Sequence, residues 1–280
     1  MKIAISAEST IDLPKELREK FKINTVPFTV IMGEKEFLDG EVSSTEIFEF
    51  VKKTNVLPKT SAVNTDQYFS HFSNLLKSHD AVIHFSLSSE MSSAYKNALG
   101  VASTIKNVYV VDSRSLSTGI ALLAIKARTL ADEGKSPSEI VETCTELTKL
   151  VRASFILDKL DYLKKGGRCS ALVAFGANLF QIKPQIVVSN GKMAVGKKYI
   201  GKYEKNVAKY CEDTLIANPN VDTSCAFITY TTATLTQIES ARNALIKKGF
   251  SNIYETTAGG TISSHCGPNT LGILFIAKQN

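Results

Sequence analysis

Apolar positions along this chain follow two different periods. Unbroken runs such as AVIHF (81–85) and VYVVD (108–112) fit strands buried on both faces, and a helical segment follows each. Tyr68, Phe69, Phe72, Leu75 and Leu76 recur at the spacing of one helix face, in a helix opened by Thr65. Start signals punctuate the pattern. Ser43 with Glu46 makes a capping box, and Ser136-Pro137-Ser138-Glu139 joins a cap, a first-turn proline and a returning glutamate. Asp12 reads as the cap of a helix through about Lys22, with Pro14 in the first turn where its missing N–H costs little. Residues 2–6 read as the first strand, and Ile23–Met32 as a strand interrupted by Pro27. Strands alternating with helices predict a parallel sheet covered on both faces.

The pattern changes after about Val151. FILDKL (155–160) reads as a strand, and a short helix ends at Gly166-Gly167. Ala171–Gln181 reads as an apolar helix of small residues. Asn190-Gly191, set between two alternating runs, predicts a tight hairpin. Helices near 203–217 and 233–248 flank the strand CAFITY, and a glycine-rich loop leads to the strand LGILFIA (271–277). The fold class is α/β in two lobes. Residues 1–152 form a mostly parallel sheet flanked by helices, and 153–280 a mixed sheet with helices. No linker marks the division, so a broad interface between lobes is expected.

Composition narrows the class. The chain has 280 residues, 44% of them hydrophobic, enough for a sizeable core. No run approaches the roughly 18 apolar residues of a membrane helix, and MKIAISAEST lacks the long apolar segment of a secretory signal. The five cysteines are odd in number and contain no C-x-x-C pair. That argues against a disulfide framework or a zinc site and makes a reducing cytoplasm the default. The net charge of +6 is mild. Lys192, Lys197, Lys198, Lys202, Lys205 and Lys209 have only Glu204 among them, with Lys164, Lys165 and Arg168 upstream. They read either as a solvated face or as a docking surface for an acidic partner or phosphate. No recognised motif points to nucleic acid.

Four segments rich in Ser, Thr, Gly or His follow strands: 7–14 (AESTIDLP), 58–69 (PKTSAVNTDQYF), 87–95 (LSSEMSSAY) and 259–272 (GGTISSHCGPNTLG). Ligands of open α/β sheets sit beyond the carboxyl ends of strands, where helix N-termini offer N–H groups. Hydroxyls there suit a carboxylate or phosphate. Ser92 or Ser93 caps the next helix, which leaves other serines over. His265, in the glycine-rich loop, is either structural or a donor to an anion. His71, His79 and His84 look ordinary. The chain has no P-loop, no G-x-G-x-x-G and no G-x-S-x-G, and no cluster with metal-ligand spacing. A triad of Ser92, His265 and Asp112 can be written, but nothing in the spacing supports it.

Taken together, these segments resemble the DegV family of bacterial fatty-acid-binding proteins, which includes the binding subunits of fatty acid kinase. The resemblance runs end to end, over about residues 3–279. It is carried by ESTIDLP (8–14), KTSAVNTDQYF (59–69), LSSEMSSAY (87–95), VVDSRSLSTGIALL (110–123), LDKLDYLKKGGRCS (157–170), LFQIKPQIVVSNGKM (179–193) and SSHCGPNTLGILF (263–275). The chain departs from the family pattern at Glu8, where aspartate is usual, and at Glu90, Ser93 and Asn269, where glycines are typical. Its T-S loop also lacks the usual Q-P.

The resemblance implies a binding protein that is not itself an enzyme. It needs no cofactor and holds one long-chain fatty acid, such as palmitate or oleate, in its C-terminal lobe. By the same resemblance the carboxyl group is held by Thr60 or Ser61, by Ser92 and by His265, with Arg168 and Ser93 as further anion or partner contacts. The implied protein partner is a separate ATP-binding kinase subunit that phosphorylates the carboxyl group, and transient contact with a membrane surface is compatible with such a cargo. ALVAFGANLFQI (171–182) and LGILFIA (271–277) are apolar enough to line an acyl tunnel or to pack as core. Two other readings remain: an acyl hydrolase or acyltransferase built on Ser92 or Ser61 with His265, and a lipid-sensing regulator that binds through the Lys192–Lys209 surface.

Overall fold

The computed structural model describes residues 1–169 and 182–278. Four parallel strands form the first sheet in the order β2-β1-β6-β7: β1 (Ile3–Glu8), β2 (Ile23–Val26), β6 (Ala81–Ser86) and β7 (Val108–Asp112). Every residue of β1 and β6 is buried, as the apolar runs require of central strands in a parallel sheet. Helices α3 (Thr65–Leu76), α4 (Ala94–Ala102), α5 (Thr118–Asp132) and α6 (Pro137–Leu147) cover this sheet. Capping boxes hold the starts of α3 at Asn64, of α6 at Ser136 and of α2 (Ser44–Thr54) at Ser43. In α3, Tyr68 and Phe72 are fully buried, whereas Phe69, which shares their periodicity, faces out at 54% exposure.

The second sheet is mixed, in the order β10-β9-β8-β13-β11-β12. Its strands are β8 (Val151–Leu157), β9 (Ile182–Ser189), β10 (Lys192–Ile200), β11 (Val221–Tyr230), β12 (Ile253–Thr257) and β13 (Thr270–Ala277), with α8 (Tyr203–Ala217) and α9 (Leu235–Lys248) packed on one another. Only β11 and β12 pair in parallel. Asn190 and Gly191 both take positive φ and turn β9 into β10, as the Asn-Gly signal predicts. One buried cluster runs from Ile5, Ile83 and Ile120 to Phe227 and Leu274, so the two sheets share a core. In β13, Leu271, Ile273 and Phe275 pack in a second cluster around Tyr210. Residues 171–181, expected to form an apolar helix, lie outside the described residues.

Three expectations are corrected. Ile23–Met32 is not one strand. The chain leaves the first sheet at Pro27, which has no N–H to give a ladder. It then enters a separate antiparallel sheet, β4-β3-β5, made of β3 (Thr29–Met32), β4 (Lys35–Leu38) and β5 (Lys59–Ser61). Asp12 does not cap the helix that follows it. It sits in the left-handed conformation at the end of a 3₁₀ turn, and α1 (Lys15–Lys20) starts after Pro14. The glycine-rich segment after β12 is not wholly loop, because Gly260–Cys266 forms a helix, α10.

Candidate ligand cavity

Helix α10 lacks a side-chain cap of its own, and its first amides are met by remote carboxyl groups. Gly259 N–H donates to Asp12 Oδ1 (2.8 Å) and Gly260 N–H to Asp39 Oδ1 (2.7 Å). Asp12 also lies 2.5 Å from the Ser117 hydroxyl, and Asp39 accepts from Ser9 Oγ. Burial pushes the Asp12 carboxyl up to about 8, against the pull of Ser117 and Gly259. The positive end of α10 is therefore occupied from within, and the 7–14 segment serves this scaffold.

One side of α10, with Thr261, Ile262, His265 and Cys266, lines a cavity of about 240 Å³. Thr60, Ser61, Ser92, Ser93, Arg168 and His265 all line it, so the structure gathers the six residues singled out in the sequence. The rest of the wall is largely apolar, with Phe28, Leu87, Met91, Leu116, Met193 and Ile262. Sequence reasoning did not find these. They come from five separate segments, and only the fold makes one surface of them. No residue of 271–277 lines this cavity.

His265 Nε2 is 2.8 Å from Thr60 Oγ1, while its Nδ1 is buried and has no hydrogen-bond partner. Burial, and then the Arg168 guanidinium, push this ring down to about 4, so it is neutral at pH 7. A stranded N–H costs more than a stranded lone pair, so the proton belongs on Nε2. His265 then donates to Thr60, and the Thr60 hydroxyl is left to donate into the cavity. Nδ1 packs against Gly166, where an added Cβ would sit 2.6 Å from it. Arg168 is exposed and donates to Gly166 O, which sets the guanidinium beside the ring.

The 87–93 loop divides its serines by task. Ser88 Oγ donates to Gly191 O (2.7 Å) and Ser89 Oγ to Asp112 Oδ2 (2.6 Å), so both hold architecture. Ser92 Oγ accepts from Ala94 N–H at 3.2 Å, as a cap does, and keeps its own proton to offer. Ser93 is the N-cap by position but makes no side-chain cap bond. Ser61 is exposed. No hydrogen bond joins Ser92, His265 and Asp112: the Asp112 carboxylate is taken by Ser89 and Arg114.

The departures from the family pattern have structural answers. Glu90 turns away from the cavity toward Arg114 and Lys192. Asn269 has positive φ, which asparagine tolerates better than most residues. Its amide donates to Asp158, and its backbone N–H donates to Thr232. Glu8 is fully buried and accepts from Tyr68 OH (2.5 Å), from Leu87 N–H (2.9 Å) and from His84 Nε2 (3.0 Å). Burial opposes its ionisation, but His84, Tyr68 and Ser86 outweigh it and hold the carboxyl below its usual range. His84, read as ordinary, is thus half of a buried pair. A Ser6 hydroxyl links it to His71.

Among the described residues no cysteine is in a disulfide, no group of His, Cys, Asp and Glu could hold a metal ion, and no helix is long and apolar enough to cross a membrane. In the lysine-rich stretch, Lys192 and Lys197 pair with Glu90 and Asp213, while Lys202, Lys205 and Lys209 are exposed.

A parallel sheet and a mixed sheet share one core, and a hydroxyl-bearing, half-apolar cavity lies among their loops, in an α/β protein. The chain belongs to the DegV family: residues 2–278 match the family model described as "Uncharacterised protein, DegV family". It is 30% identical over 283 residues to a DegV domain-containing protein of Caldanaerobacter subterraneus, covering 99% of each chain. It is 34% identical over 212 residues to protein DegV of Bacillus subtilis, covering 72% of this chain and 75% of that one. Among solved structures, DegV of B. subtilis, described as a fatty acid binding protein, superposes with a TM-score of 0.86 at 29% identity over 99% of this chain and 100% of that one. A DegV lipid binding protein of Thermotoga maritima gives 0.88 at 25% identity, covering 100% of each chain. A DegV family protein of Thermus thermophilus, described by its fatty acid binding, shares the fold at a TM-score of 0.89 and 24% identity, covering 99% and 100%.

Proposed function

We propose that this protein binds one long-chain fatty acid, with its carboxyl group in the cavity between Thr60, Ser92 and His265, and presents that group to a separate ATP-dependent kinase subunit. The observation that carries the reading is the meeting of hydroxyls, one neutral imidazole and one guanidinium at an otherwise apolar cavity. The fatty-acid and lipid binding described for the B. subtilis and T. maritima relatives supports it. Thr60 and Ser92 donate to the carboxylate, Arg168 adds charge from the rim, and the alkyl chain leaves along the apolar wall. Burying about sixteen carbons at about 0.8 kcal/mol each gives on the order of 10 kcal/mol before ordering costs. Affinity then comes from the chain, and neutral hydroxyls hold the head without locking it. This suits a carrier that must expose its cargo's carboxyl group to a second protein.

Native mass spectrometry of the purified protein, followed by denaturation and lipid extraction, tests the binding. Release of one fatty acid per chain is expected. A protein that is empty, and stays empty with a mixed fatty acid panel, would sink the reading. The kinase step is tested apart, by acyl phosphate formation from the loaded protein, ATP and a candidate kinase subunit.

A further inference from the structure

The serine loop is fastened to the hairpin of the second sheet by a cluster of four charges. Glu90 Oε1 lies 3.4 Å from Arg114 Nη1, and Glu90 Oε2 lies 3.3 Å from Lys192 Nζ. Arg114 reaches Asp112 (3.4 Å) and Ser89 Oγ (3.1 Å), and its other terminal nitrogen donates to Asn190 O. The guanidinium lies over Gly191, where an added Cβ would meet it at 2.8 Å. Two acids and two bases balance, and they come from three segments: the serine loop, the turn after β7 and the hairpin. The Ser88–Gly191 bond joins the first and last of these across a separation of 103. The next residue along the chain from each partner, Met91 after Glu90 and Met193 after Lys192, lines the cavity. The ion pair therefore closes from outside a seam that two flexible methionines fill from inside.

We propose that Glu90 is a positioning residue for the ligand site. Through Arg114 and Lys192 it clamps the serine loop to the β9–β10 hairpin, which fixes Ser92 and makes acyl affinity depend on ionic strength. The inference rests on the reading of the cavity as a fatty acid site. The glycine typical at position 90 would offer no such clamp. Glu90 and Arg114 are each about one third exposed, at 34% and 33%, and Lys192 is 69% exposed. Salt therefore reaches the cluster, and the Debye length falls from about 10 Å at 0.1 M to about 3 Å at 1 M.

The test compares the full chain with Glu90→Gln, Lys192→Gln and the double variant, in low salt and in about 0.5 M salt. Oleate affinity and amide exchange over residues 87–94 are both read. Each single variant should raise the oleate Kd about two- to fivefold in low salt and speed exchange at Met91 and Ala94. The double variant should cost no more than the worse single one, and high salt should bring the unmodified chain toward the variants. Equal Kd values for the unmodified chain and Glu90→Gln at both salts overturn the clamp while fatty acid binding stands. A chain that takes up no oleate at either salt overturns the functional reading, and the positioning role with it.

Discussion

Thr60 Oγ1 and His265 Nε2 lie 2.8 Å apart, although 205 residues separate them in the chain. The contact ties the short antiparallel sheet to α10 and settles which way the Thr60 hydroxyl can donate. Thr60→Val keeps the side-chain shape but leaves both ring nitrogens of His265 without partners. A lost hydrogen bond to a charged group is worth about 1.5–3 kcal/mol, so fatty acid affinity should fall about ten- to a hundredfold. Thr60→Ser should hold within a few-fold. A binding titration with one fatty acid checks both, and equal affinity for the Val and Ser variants would contradict the role.

Gly166 and Gly100 predict opposite outcomes for the same substitution. A Cβ at Gly166 would press on the half-buried His265 ring, and a Cβ at Gly100, inside α4, meets nothing within 4 Å. Gly166→Ala should therefore cost about 1–3 kcal/mol of stability through overpacking and weaken ligand binding. Gly100→Ala should add about 0.5–1 kcal/mol by helix propensity and leave binding unchanged. Urea unfolding of the two variants separates them.

Asp12 should make the protein lose stability as pH rises. Its folded value of about 8 lies above the ordinary 3.8, so the folded chain keeps a proton that the unfolded chain gives up. The stability it contributes is present below about pH 4 and is lost progressively up to about pH 8. Asp12→Asn cannot titrate, keeps an oxygen for Gly259 N–H and offers an N–H to Ser117. The variant should gain on the parent chain across that window, by at most about 6 kcal/mol. Chemical unfolding at pH 5, 7 and 8.5 reads the slope, and parallel curves would remove Asp12 as the cause.

His71 and His265 act in the other direction. Burial pushes each ring down to about 4, with the charge on His84 adding at His71 and that on Arg168 at His265. The unfolded chain protonates both below about 6.5 while the folded chain does not, so stability falls as pH drops from about 6.5 to about 4. Each contributes at most about 3 kcal/mol. In the Asp12→Asn background, where the opposing slope is gone, His71→Gln should flatten the acid limb. An unchanged limb would assign the loss to other groups.

What was legible in the chain was mostly local. The capping boxes at Ser43 and Ser136 and the Asn190-Gly191 turn are complete within a few residues, so spacing alone predicts them. The six residues were singled out through motif resemblance, and the fold brings them to one cavity. What was hidden depends on partners far away. Asp12 looks like a helix cap until Ser117 and Gly259, 105 and 247 residues on, are seen to hold it. Helix α10 starts at Gly260, with Gly259 before it, both poor helix formers, and is completed by carboxyl groups from elsewhere. Glu90 stands where glycine is typical, and only its pairing with Arg114 and Lys192 shows where its carboxylate points.

The acidic clasp on α10 also orders events during synthesis. A ribosome makes Asp12 and Asp39 more than two hundred residues before the amides of Gly259 and Gly260 that they receive. Until then the two carboxyl groups wait as an empty receptor, and the wall that carries His265 does not exist. The cavity is thus among the last parts of the molecule to be assembled.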